Sequence, residues 1–106
     1  MGRTAEPSAE QPITRTIVSD VCLPDVKPVH RVQVREIKIA PSQPAGLHVH
    51  NGPVFGNVVA GTVVYQVDGQ PAQVLRPGDV FYEPEGVRIA RFDAQDEAVT
   101  FSPASC

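Results

Sequence analysis

The sequence predicts an all-β domain, and three observations carry that prediction. Eleven prolines and eight glycines are spread along the 106 residues, and they cut every stretch below the length of an ordinary helix. Between them lie short runs rich in Val, Ile, Thr, Tyr and Phe, many with apolar side chains at every second position. These runs recur at even spacing, about eight to ten of them, as expected of an antiparallel sandwich or barrel. With 42% hydrophobic and 20% charged residues the composition sits in the globular range, and the length suits one domain with a modest core.

The elements follow in order. Residues 1–12 are polar and are read as a flexible tail, leaving 13–106 as the folded domain. Ile13 to Val18 is β-branched and short, which suits an edge strand that pairs within the chain or across a dimer. A loop punctuated by Pro24 and Pro28 follows. Val29 to Ala40 alternates strongly, but its apolar parity changes from Val32 and Val34 to Ile37 and Ile39, so a bulge is expected near Arg35 or Glu36. A Pro- and Gly-containing loop leads into Leu47 to His50, and Asn51-Gly52-Pro53 makes a turn. Val58 to Asp68 is interrupted by Gly61, and Asp68-Gly69 turns the chain into Ala72 to Leu75. The turns at Arg76 to Asp79 and at Pro84-Glu85-Gly86 bracket a strand from Val80 to Glu83. Val87 to Phe92 and Ala98 to Phe101 complete the set.

Several function classes are excluded. Twelve acidic against nine basic residues give a net charge of −3, the basic residues form no run, and there is no Trp; this is no nucleic-acid surface. No apolar run approaches a membrane span or forms a signal peptide, so a cytoplasmic location is expected, without membrane or nucleic-acid partners. Gly2 does not make a myristoylation site, because Glu6 stands where that motif needs Ser or Thr. Cys22 and Cys106 lack metal-type spacing and are expected to be free thiols, Cys22 buried and Cys106 at a mobile end. His30 is expected at the surface or rim.

The residues that carry chemistry begin with His48 and His50. An H-x-H pair on a strand sets both imidazoles on one face, close enough to share one metal ion. Three residues after His50 comes Val54, and six further residues lead to Gly61. Downstream, Gly78 is followed by DVFYE, then Pro84-Glu85-Gly86, Val87 and Arg88, then Ile89, with Asp93 four positions on. This pattern, from Gly46 to about Phe92, resembles the two motifs of the cupin superfamily. The first motif is H-x-H, three or four residues, Glu, six residues, Gly. The second is Gly, five residues, Pro-x-Gly, two residues, His, three residues, Asn. The resemblance implies a double-stranded β-helix, the jelly-roll or cupin barrel of RmlC-like proteins, and a homodimer is expected. It also shows two departures: Val54 stands where the family carries its metal-binding Glu, and Ile89 where it carries its third His.

Two readings of the pocket follow. Either Glu83 or Glu85 replaces the lost carboxylate and, with His48 and His50, holds a divalent transition metal (Fe, Mn, Ni, Zn or Cu), weakly for want of a fourth ligand, or the pocket has lost its metal. The resemblance places His48, His50, Val54, Phe55, Tyr65, Tyr82 and Ile89 around an interior pocket for a small molecule. If Ile89 faces inward, simple alternation turns Arg91 inward too, either to hold a ligand carboxylate or to pair with Glu83 or Glu36. Tyr82 or Tyr65 could serve as acid with His48 or His50 as base, or both tyrosines simply pack. The implied chemistry is isomerisation, epimerisation, cyclisation or dioxygenation of a small oxygenated substrate. The alternatives are a metal-free, non-catalytic binding or sensing module and a variant engineered at Val54 and Ile89 to reshape the pocket.

Overall fold

A computed structural model describes residues 12–106, and the expected tail at residues 1–11 lies outside the described residues. Nine strands form two antiparallel sheets, with no helix among the described residues. The strands are β1 (Gln33–Val34), β2 (Ile37–Ile39), β3 (His48–Val49), β4 (Val54–Ala60), β5 (Val63–Val67), β6 (Gln73–Leu75), β7 (Val80–Glu83), β8 (Arg88–Ala94) and β9 (Val99–Ser105). One sheet runs β1-β9-β4-β7, with β2 also on β9; the other runs β3-β8-β5-β6. The all-β jelly roll predicted from the sequence is the observed architecture. No helix among the described residues is long and apolar enough to cross a membrane.

The core lies between the sheets. Val58, Val63, Ile89 and Val99 are fully enclosed, joined by Val54, Tyr65, Leu75, Phe81, Phe92 and Ala94. Phe81, Phe92 and Phe101 pack edge-on or tilted, with ring centroids 4.6 to 6.1 Å apart, within the range where aromatic pairs attract beyond simple burial.

Three expectations are corrected. Ile13 to Val18 forms no strand, and Ile13, Ile17 and Val18 are exposed. Cys22 is exposed rather than buried, although both cysteines are free as expected. No bulge separates β1 from β2: Gln33 lies opposite Ser105 and Ile37 opposite Phe101, so one register runs through both. The interruption comes instead from Pro103. Its carbonyl accepts from the Arg35 amide at 2.9 Å, but a proline has no N–H to return the bond, so the ladder lapses at this rung. Val32 and Val34 consequently point away from the core and are exposed, while Gln33, Ile37 and Ile39 are partly buried.

The parity change occurs in β8. Gln66 pairs with Arg91 but Val67 pairs with Ile89, leaving Ala90 as the extra residue of a bulge. Ile89 and Phe92 are therefore both buried although three positions apart, and Arg91 faces solvent.

Gly61 closes the β4–β5 connection with φ +81°, and a Cβ there would sit 2.3 Å from the Ala98 carbonyl oxygen. Gly69 has nearly the same φ, +83°, with nothing within 4 Å. Gly69→Ala is expected to cost about 1–2 kcal/mol for the left-handed backbone alone. Gly61→Ala should cost at least about 1 kcal/mol more, because backbone atoms must also move. Urea unfolding of both variants checks this, and equal losses would contradict it.

Candidate metal centre

The site is assembled at the end of the sandwich by one strand from each sheet. β3 carries His48 opposite Ile89 of β8. In the other sheet Gln33, Ser105, Val54 and Glu83 form one cross-strand row, since Gln33 and Val54 both pair with Ser105 and Val54 pairs with Glu83. Residues directly opposite one another share a face, so the row places Glu83 inward with buried Val54. The Pro84-Glu85-Gly86 turn then brings the chain from β7 to β8. Gly86, at φ +77°, donates its amide to the His50 carbonyl at 3.0 Å, which holds the histidine segment beside the end of β7.

His48, His50 and Glu83 offer three ligand atoms within 4.8 Å of one another. His50 Nε2 lies 2.6 Å from Glu83 Oε1, and His48 Nε2 lies 3.9 Å from the same oxygen. The rings meet edge-on with centroids 4.9 Å apart. His48 Nδ1 lies 2.9 Å from the Gly46 carbonyl oxygen. A carbonyl can only accept, so Nδ1 carries the proton and Nε2 presents its lone pair to the site, as metal-binding histidines are commonly oriented.

Two features fit this group to a cation. Glu83 is 3% exposed and is the one charged side chain buried among the described residues; a carboxylate removed from water needs a positive partner. His50 Nε2 is buried and, despite its short approach to Glu83, makes no hydrogen bond. A ring nitrogen and a carboxylate oxygen that converge without sharing a hydrogen bond are arranged as two donors facing a common ion. Two imidazoles and one carboxylate with open positions form a familiar donor set for divalent transition metals.

The group borders a cavity of about 190 Å³, lined also by Arg35, Ile37, Val54, Phe81, Phe101 and Ser105 among others. Of the residues expected around the pocket, His48, His50, Val54 and Glu83 come together here. Ile89 is enclosed in the core behind His48. Phe55 and Tyr82 stack at 5.0 Å between centroids and, adjacent to inward Val54 and Glu83, lie on the opposite face of their sheet. There they border grooves formed with residues Leu23 to Lys27, so Tyr82 does not reach the histidines. Arg91, expected inward, pairs with Asp93 at 2.7 Å on the exterior, because the Ala90 bulge reverses the alternation. Glu85 also stays outside, paired with Lys27. Arg35 and Ser105 were not singled out from the sequence; the continuous alternation of 33, 35 and 37 was the signal for Arg35.

Tyr65 is a core residue, packed against Phe81 and Phe92, and its hydroxyl donates to the Tyr82 carbonyl at 3.2 Å. Burial, with the Glu83 charge adding to it, pushes its phenol up from 10.0 to about 12. A phenol raised in the folded state favours folding below its unfolded value and ceases to as pH climbs through its folded value. Stability should therefore decline between about pH 10 and pH 12. Tyr65→Phe should flatten that decline; an unchanged alkaline limb in urea unfolding would contradict the assignment.

The comparisons with known proteins agree with this fold. The family model for the cupin domain matches residues 35–100. A cupin-like protein from Thermotoga maritima superposes with a TM-score of 0.64 at 31% identity, over 70% of this chain and 56% of that one. An RmlC-like cupin with a double-stranded β-helix fold from Methanocaldococcus jannaschii gives 0.64 at 17% identity, over 71% and 69%. An oxalate oxidase solved with the substrate analogue glycolate gives 0.62 at 20% identity, over 70% of this chain. The chain spans 41% of that oxidase's length. No curated protein sequence matches significantly. With its family match covering more than half of the residues and its strands in the same double-stranded β-helix, the chain belongs to the cupin family.

Proposed function

We propose that this cupin is a metal-dependent, small-molecule-binding protein in which His48, His50 and Glu83 hold one divalent transition metal. The observation that carries the proposal is the convergence of three ligand atoms within 4.8 Å around a buried carboxylate. The reading that Glu83 substitutes for the family carboxylate is supported by its register: Glu83 is the direct partner of Val54. The ligand thus moves one strand across the sheet, from β4 to β7, while remaining in the same row.

A divalent transition metal bound here would polarise a substrate oxygen and, if redox-active, support oxygen chemistry. The protein's own part is positional. His48 is oriented by the Gly46 carbonyl and His50 by the Gly86 amide. Glu83 supplies the negative charge, and Phe81, Phe92 and Phe101 make the cavity wall apolar, which strengthens electrostatic contacts inside it. A volume of about 190 Å³ lies below the range of drug-sized sites, so the ligand is a compound of few heavy atoms. The activity named for one structurally similar protein, the oxalate oxidase, supports an enzymatic use of such a site.

Elemental analysis after loading and desalting tests the proposal. Wild-type protein should retain close to one metal ion per chain. His48→Ala with His50→Ala, and separately Glu83→Gln, should weaken retention by at least about 100-fold. Tyr82→Phe, outside the cavity, should leave it unchanged. Metal-free wild type would contradict the proposal and leave a binding module for organic ligands. Because both imidazoles must be neutral to bind, retention should also fall as pH is lowered.

A further inference from the structure

We infer that Arg35 is the carboxylate-recognising residue of the cavity, so that the site takes a small anionic compound bearing a carboxylate and a second oxygen donor. The inference rests on the metal-site reading and names the substrate class for it. Arg35 lies on the same register as Gln33 and Ile37, opposite Pro103, which puts it two rungs from the row of Gln33, Ser105, Val54 and Glu83 and on the same face of the sheet. It is the one Lys or Arg among the residues lining the cavity.

Its partners point the same way. Arg88 and Arg91 each pair with an aspartate and Lys27 with Glu85, whereas Arg15, Arg31, Lys38 and Arg76 make no ion pair among the described residues but do not line the cavity. Arg35 makes no ion pair among the described residues; its Nη2 donates to Gln33 Oε1 at 2.7 Å, which fixes one arm of the fork and leaves other donors free. A guanidinium has five N–H donors in a planar array that matches a carboxylate at two points. The residues lining the cavity therefore include the candidate metal-binding group, apolar rings and, from an exposed position, a guanidinium with free donors. A compound that places one oxygen toward the histidines and a carboxylate toward Arg35 satisfies both. Metal binding itself does not need Arg35, which carries no lone pair at any accessible pH.

Calorimetric titration of lactate and of lactamide, its uncharged amide, separates charge recognition from shape. The proteins are wild type, Arg35→Gln and Arg35→Lys, each loaded with Co(II) and each metal-free. Wild type should prefer lactate by about 10- to 100-fold, the range of a charge-assisted pair. Arg35→Gln should lose most of that preference while keeping its full Co(II) content, and Arg35→Lys should retain part of it. Equal binding of lactate and lactamide to wild type, or an undiminished preference in Arg35→Gln, would overturn the assignment. If wild type takes up no Co(II), the metal-site reading fails by itself. The metal-free titrations then decide on Arg35: a preference that depends on it upholds its role, and the lack of one overturns it.

Discussion

A buried carboxylate sets the terms of this structure. Glu83 is almost wholly enclosed, and moving an ionised carboxylate out of water costs several kcal/mol unless a positive group meets it. Two ring nitrogens converge on it, that of His50, just after β3, at 2.6 Å and that of His48, on β3, at 3.9 Å from a single oxygen, and a cation held between them would supply the missing positive charge. This arrangement requires β3, an edge strand of one sheet, to stand against the end of β7, an edge strand of the other. The Pro84-Glu85-Gly86 turn makes the approach by carrying the chain directly from one sheet to the other and bonding the His50 carbonyl on the way.

The same constraint explains how the cavity tolerates the loss of two family ligands. Val54 sits in the cross-strand row of Glu83, so on the proposed reading the carboxylate stands one strand over in the same row and the sheet is undisturbed. Ile89 stands opposite His48 and is fully enclosed, extending the core up to the candidate metal-binding group. Such a site has fewer protein ligands than the full family set and more open positions for a substrate. On the same reading, the apolar wall and the Arg35 guanidinium among the cavity's lining residues would decide which compounds enter.

Much of the fold was legible because proline and glycine mark its turns. Strands β3 to β8 fall close to the runs delimited by Gly52-Pro53, Gly61, Gly69, Gly78 and Gly86. The histidine pair and the Pro-x-Gly turn were equally visible, since their spacing is local. What misled was parity. Val32 and Val34 alternate like core residues yet face outward, because the register fixed by β9 runs straight past Arg35. One bulged residue, Ala90, turned Arg91 outward and Phe92 inward. A one-residue slip reverses every side chain beyond it, and nothing in the local composition distinguishes Arg35 from Ala90 as its place. Phe55 and Tyr82 look like pocket residues by position, but each neighbours an inward side chain and so faces out.

The relocation of the carboxylate can be tested by reversing it. Metal retention would be measured for Glu83→Val and for Glu83→Val combined with Val54→Glu, with folding checked by circular dichroism. The account predicts that the single variant loses the metal and that the exchange restores it to within about tenfold of wild-type affinity. A folded Glu83→Val protein that holds its metal as tightly as wild type would contradict it.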